Sequence, residues 1–259
     1  CAADPAEVQE TWYKLVLELV RHTPTYSPPV ASRAFAYLGV TGYEALASGQ
    51  PDKMQSLAGQ LNGLETLPGR EAGAVYEEAA VLHGALSASV ATFFGNTGPT
   101  GQRAMTAMTD RISAIVTEGV DPQVVARSLA YGQALATAVE DWSQDDGGAV
   151  IENLGFPMEY TLGDGPAHWV PTNPIALQQR PLLPKWGGNR TFAMPAGAAC
   201  PLPAPPAYSE DEGSAFYAEG REVYDTTGAL TDEQKLIARF WSDDPMLSPT
   251  PPGHWISIV

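Results

Sequence analysis

The chain is predicted to be all-α, a helical bundle crossed by a long irregular Pro-rich wrap. Three observations carry this. Apolar residues recur at three-and-four spacing through most of residues 7–148, helix starts recur as a capping residue followed by proline, and no segment alternates apolar and polar residues as a half-buried strand would.

Each element has its own signal. Val8, Trp12, Leu15, Val16 and Leu19 share one face of a first helix, which Pro24 ends. Ser27 ahead of Pro28 starts a second, a hydroxyl cap followed by a residue whose missing N–H costs nothing in the first turn. It runs through Arg33, Phe35, Leu38, Tyr43 and Leu46 toward Gly49. A short third helix is expected from Lys53 to Leu61. Val75, Ala79, Leu82, Leu86, Val90 and Phe93 stripe a long helix starting near Arg70 and stopped by Gly95, and another runs from about Gly101 to Thr117.

Asp121-Pro122 opens a helix with Val125, Leu129, Leu135, Val139 and Trp142 on its apolar side, closed by Gly147-Gly148. Small residues at Ala126, Ala130, Gly132, Ala134, Ala136 and Ala138 would let neighbours approach closely, so this is the expected central helix of the bundle. Helices resume from Ser209 to Thr226, and Thr231 with Gln234 forms a capping box for one ending near Trp241. A last helix should begin after Pro252 with only seven residues to run, so it needs something packed on it or following it.

The pattern divides the chain into a tether at 1–6, a bundle at 7–148, a wrap at 149–208 and closing helices at 209–259. Residues 155–208 hold 11 of the 23 prolines and show no sustained period. Phe156, Trp169, Trp186 and Phe192 are more apolar anchors than a disordered linker needs, so the wrap is expected to lie ordered across the bundle.

Composition excludes several function classes. The chain is 44% hydrophobic and 17% charged, a globular profile, and 30 acidic against 14 basic residues give a net charge of -16. Such acidity disfavours nucleic acid and anionic lipid, whose binding draws on Lys and Arg, and suits a solubilising or salt-adapted surface. No stretch approaches the roughly 18 consecutive apolar residues of a membrane span. The four histidines, His22, His83, His168 and His254, have no metal-ligand spacing, and neither a Gly-rich phosphate loop nor Gly-x-Ser-x-Gly occurs. His83 reads as a hydrogen-bonded core residue and His22 as a helix C-terminal one. Glu140, Asp141, Asp145 and Asp146 only loosely imitate a calcium loop, and a solvated helix end is the favoured reading. Asn189-Arg190-Thr191 is a formal glycosylation sequon to which little meaning attaches.

The ends carry two further expectations. Cys1 followed by Ala2, Ala3 and Asp4 is what remains when a bacterial lipoprotein signal is removed, which makes Cys1 a lipidation site and places the protein on the cell envelope, membrane-anchored, facing the periplasm or the exterior. Cys200 is then a lone thiol, read as a small buried hydrophobe.

A set of words in fixed order adds a resemblance. These are Trp12 through Arg33-Ala34, Tyr43-Glu44-Ala45, and Gly132 to Trp142 with Asp145, Asp146 and Gly147. Next come Gly165-Pro166-Ala167-His168-Trp169-Val170-Pro171-Thr172 and Leu183-Pro184-Lys185-Trp186-Gly187, and then Phe240-Trp241 to Trp255. Together they resemble the N-terminal half of bacterial vanadium-dependent haloperoxidases, relatives of the type 2 phosphatidic acid phosphatase superfamily.

The resemblance implies an all-helical fold of two bundles, with the vanadate or phosphate pocket in the C-terminal one. That pocket is an oxyanion cradle of Lys and Arg, a Ser-Gly pair and His residues. Its signatures, a Lys with an Arg seven residues later, a Pro-Ser-Gly-His, and a later Arg and His, do not occur here. Lys185 and Arg190 are too close together, and Pro252-Gly253-His254 lacks the serine. No cofactor is therefore expected on this chain, and vanadate or phosphate belongs to the half it does not contain.

The resemblance gives one position a role. Asp244, three places after Trp241, stands where the family's acidic residue supports an anion-binding Arg of the other half; capping of the preceding helix is the competing reading, and Asp243 is the weaker candidate. Two functions follow: the scaffold half of a haloperoxidase-like or acid-phosphatase-like lipoprotein, or a non-catalytic lipoprotein subunit that packs on a partner in a membrane-associated complex. The partners are its own C-terminal half or another chain, and the bilayer through Cys1.

Overall fold

The computed structural model describes residues 3–149, 155–171 and 180–259. Cys1 and Thr172 lie outside the described residues. Eight α-helices and no strand are found among those described: α1 (Pro5–Arg21), α2 (Pro28–Ala47), α3 (Glu78–Phe93), α4 (Pro99–Thr117), α5 (Pro122–Ser143), α6 (Ala215–Gly228), α7 (Asp232–Phe240) and α8 (Thr250–Ile258).

Local chemistry sets the boundaries. Asp4 caps α1 through the Ala6 N–H at 2.9 Å, and Asp121 caps α5 through the Gln123 N–H at 2.7 Å. Ser27 precedes α2 without capping it, and its Oγ is buried without a partner. Pro28 and Pro29 explain this: a capping side chain bonds the second or third helical N–H, and proline has removed the second. At α5 the corresponding second residue is Gln123, whose N–H is present.

The expected helix at 53–61 does not form. Those residues make turns stitched to α2, with Glu44, buried in that helix, accepting from Leu57 N–H at 2.6 Å and Ser56 Oγ at 2.9 Å. Gly59 and Gly63 turn the chain left-handed, at φ 76° and 77°. Likewise α3 starts at Glu78 and not near Arg70. Gly73 at φ 74° breaks the run, and Val75, assigned to the apolar stripe, is exposed. The α5 helix ends at Ser143, ahead of Gly147-Gly148. In place of a start at Ser209, α6 begins after Ser214, whose Oγ accepts from Tyr217 N–H at 3.1 Å.

The axis of the bundle is α3, which corrects the assignment of that role to α5. It packs against α1, α2, α4 and α5, and Ala79 through Leu86 are buried without interruption on all its faces. Of the small residues of α5, Gly132 and Ala136 point inward while Ala126, Ala130 and Ala134 face outward. Close approach is nevertheless real at two glycines. A Cβ on Gly132 would stand 2.2 Å from the Val81 carbonyl oxygen, and one on Gly84 would stand 2.6 Å from that of Leu129. The α3 and α5 backbones therefore touch where neither has a side chain.

His83 lies in this core, 1% exposed. Trp12 Nε1–H donates to its Nδ1 at 3.3 Å, and its Nε2 lies 2.8 Å from Ser113 Oγ. Burial pushes its pKa down from 6.5 to about 4. It is a neutral structural link between α1, α3 and α4.

Candidate functional site

Two clusters hold the chain's unusual polar geometry. The first is at the C-terminal end of α5. Asp146, expected on a solvated helix end, is 4% exposed. Its Oδ2 accepts from Arg33 Nε at 2.7 Å and Tyr37 Oη at 2.8 Å, and its Oδ1 from Gly148 N–H at 2.7 Å. Burial raises its pKa, but these three donors outweigh that and hold the carboxyl below the usual carboxylate value. Burial and the adjacent carboxylate push the Tyr37 hydroxyl up to about 12.

Asp146 also anchors the wrap. Its carbonyl accepts from Arg190 N–H at 2.8 Å, while the Arg190 guanidinium bonds Asp145 and the Trp142 carbonyl and lies over the Trp142 ring at 5.0 Å. Phe192 then inserts beside Tyr37 and Trp142, ring centroids 5.1 and 5.3 Å away. Leu183 and Trp186 rest on the core nearby, whereas Trp169 and His168 stay exposed. Asp145 and Asp146 thus form a clasp that ties α2, α5 and the wrap together. No group of three or more His, Cys, Asp or Glu suited to a metal occurs among the described residues.

The second cluster joins α7 to α8. Both carboxylate oxygens of Asp243 accept from His254 Nδ1–H, at 2.8 and 2.9 Å. The imidazole stacks on Trp241 at 4.9 Å and meets Phe240 edge-on. Asp244 is exposed, and its backbone carbonyl accepts from Leu247 and Ser248 N–H at 3.1 Å. Its carboxylate has no hydrogen bond or ion pair among the described residues, and the end of α7 is closed by the Trp241 N–H bonding Ile237 O and Arg239 O. The capping reading of Asp244 is therefore not observed. Cys200 is exposed, which corrects the buried reading.

Neither α6 nor α7 buries a residue. Leu236, Ile237, Phe240, Trp241, Leu247 and Trp255 are exposed, and the rings of Phe240 and Trp255 lie against Trp241. On the other side, α8 is held to the bundle through α1 and α2, with Gly253 seated against Leu17.

Among the described residues, the cations do not converge on one cleft as an oxyanion would require. Among the described residues, Lys14, Arg21, Arg33, Arg70, Arg127, Arg190, Arg221 and Lys235 each lie within 4.0 Å of a carboxylate. The described clefts lined by Lys14, Arg33, Lys185 or Arg221 each contain that one cation. A multiply charged oxyanion requires several converging donors.

An all-helical bundle with its helices packed on a buried α3, a clasped wrap and an uncovered closing face defines the class of fold. Within that class the chain has a vanadium-haloperoxidase-like fold. A crystal structure of a bacterial vanadium-dependent iodoperoxidase matches 97% of this chain at 32% identity, with a TM-score of 0.81. The chain spans 60% of the length of that protein. No protein-family model matches the chain, and no curated protein matches it.

Pattern reasoning missed the His254–Asp243 pair and the burial of Asp146. Neither partner is periodic with the other, since Arg33 and Asp146 are separated by 113 residues. The one available signal for the first was the spacing of Phe240-Trp241 and His254-Trp255 around a Pro-rich turn.

Proposed function

We propose that this chain is the scaffold half of a vanadium-dependent haloperoxidase-like enzyme, the oxyanion-binding residues being supplied by protein outside these 259 residues. The observation that carries the reading is the near-complete match of this chain to 60% of an iodoperoxidase, together with cations that are paired or dispersed among the described residues. Vanadate, or phosphate in an acid-phosphatase-like variant, would be held by that second half. When bound it supplies oxidation of halide by peroxide, and this chain supplies the surface on which the second bundle rests.

In this reading Asp244 supports a guanidinium of the second half, keeping it oriented toward the oxyanion. Cys1 carries lipid and tethers the enzyme to the cell envelope. The full-length gene product, assayed for iodide oxidation by hydrogen peroxide with and without orthovanadate and beside a phosphatase assay, decides between the chemistries. Vanadate-dependent oxidation is expected. Neither activity, with an intact mass ending at Val259, would instead favour the non-catalytic partner-binding lipoprotein.

A further inference from the structure

Three of the four described non-glycine residues with positive φ, Asp243 at 45°, Met246 at 69° and Thr250 at 65°, fall in eight residues joining α7 to α8. Backbone of this kind persists only where its surroundings hold it. His254 is one hold, through the two-oxygen contact to Asp243 and a stack on Trp241 only 15° from parallel. The turn in which Leu247 and Ser248 N–H donate to the Asp244 carbonyl is the other. Asp244 stands between them. Its neighbour's carboxylate is sequestered by the imidazole, and its own is exposed and unpaired among the described residues.

We propose that His254 and Asp243 are a positioning pair for Asp244, holding its carboxylate outward as the acceptor for a guanidinium of the second bundle. This rests on the reading of the chain as a scaffold half. The chemistry favours guanidinium over ammonium, because a fixed carboxylate matches its planar donor fork and the rings of Trp241 and Trp255, 5.8 Å apart and both exposed, offer flat faces for it to stack on. Without the pair, Asp243 and Asp244 would be two adjacent mobile carboxylates, and neither would be preferred.

The test uses the full-length gene product and two variants that break the pair, His254→Phe, which keeps the stack on Trp241, and Asp243→Asn. In each, amide hydrogen exchange at Leu247 and Ser248 is expected to speed up at least about tenfold while α3 amides are unchanged. A thermal double-mutant cycle with Asp244→Asn supplies a readout that a merely structural role would not move. His254→Phe should lower Tm by roughly 2–4 °C more in the wild-type background than in the D244N background. Unchanged exchange, or equal Tm shifts in the two backgrounds, overturns the proposal. Equal shifts in a protein with vanadate-dependent iodide oxidation refute the pair alone. Coupled shifts in a protein without that activity refute the catalytic reading alone.

Discussion

Replacing Asp146 by Ala tests whether the acidic end of α5 is a clasp or a solvated helix terminus. The substitution leaves the Arg33 guanidinium, 14% exposed, with the Ser143 carbonyl at 2.8 Å and the rings of Tyr37 and Phe93 but no carboxylate among the described residues, and leaves the Tyr37 hydroxyl and the Gly148 N–H without their acceptor. Removing one partner of a buried ion pair costs about 3–5 kcal/mol, because the remaining charge is left uncompensated. That is a large share of the 5–15 kcal/mol that typically separates folded from unfolded protein. Urea unfolding at pH 7, followed by circular dichroism, should show a loss of about 4 kcal/mol for Asp146→Ala. The double variant Arg33→Ala/Asp146→Ala should lose clearly less than the two single losses combined, because the uncompensated charge is gone. A loss below about 0.5 kcal/mol is what an exposed helix-end carboxylate gives, and it would refute the clasp.

Other expectations follow from the same packing. Gly132→Ala must separate α3 from α5, because the new Cβ meets backbone at 2.2 Å; a net loss of roughly 1–3 kcal/mol is expected despite a helix-propensity gain of about 1 kcal/mol, and a stabilised variant would contradict the contact. His83 binds its proton less readily folded than unfolded, so its contribution is fully present above pH 6.5 and is lost as pH falls toward about 4, a change on the order of 3 kcal/mol. A urea midpoint that does not fall across that window more in the wild type than in His83→Gln would contradict this. Phe192→Ala should release the wrap and open residues 180–208 to proteolysis while α1–α5 remain resistant. The exposed closing face predicts concentration-dependent self-association of the 259-residue chain in sedimentation, reduced by Leu236→Glu with Ile237→Glu.

The helices were legible because their signals are local. The stripe of α1, the capping box of α7 and the proline starts of α2 and α5 each depend on residues within one or two turns. Where long-range chemistry competes, the local pattern fails. Residues 53–61 have helical composition, but Glu44 binds their backbone, left-handed Gly59 breaks the run and left-handed Gly63 follows it. The centrality of α3 was hidden for the opposite reason: a helix buried on every face has no polar side to mark its period. The role proposed for Asp244 rests on family resemblance, because an exposed carboxylate without a partner among the described residues has no local signature. Asp243, ranked below it, has the partner in this chain, an imidazole eleven residues away.

The central claim is that the fold resides in this chain and the oxyanion site does not. Equilibrium dialysis of orthovanadate against the 259-residue chain and against the full-length gene product tests it most directly. Saturable binding near one equivalent is expected of the full-length protein, about tenfold weaker in Asp244→Ala, and none of the 259-residue chain. Stoichiometric binding by the 259-residue chain, or none by the full-length protein, would contradict it.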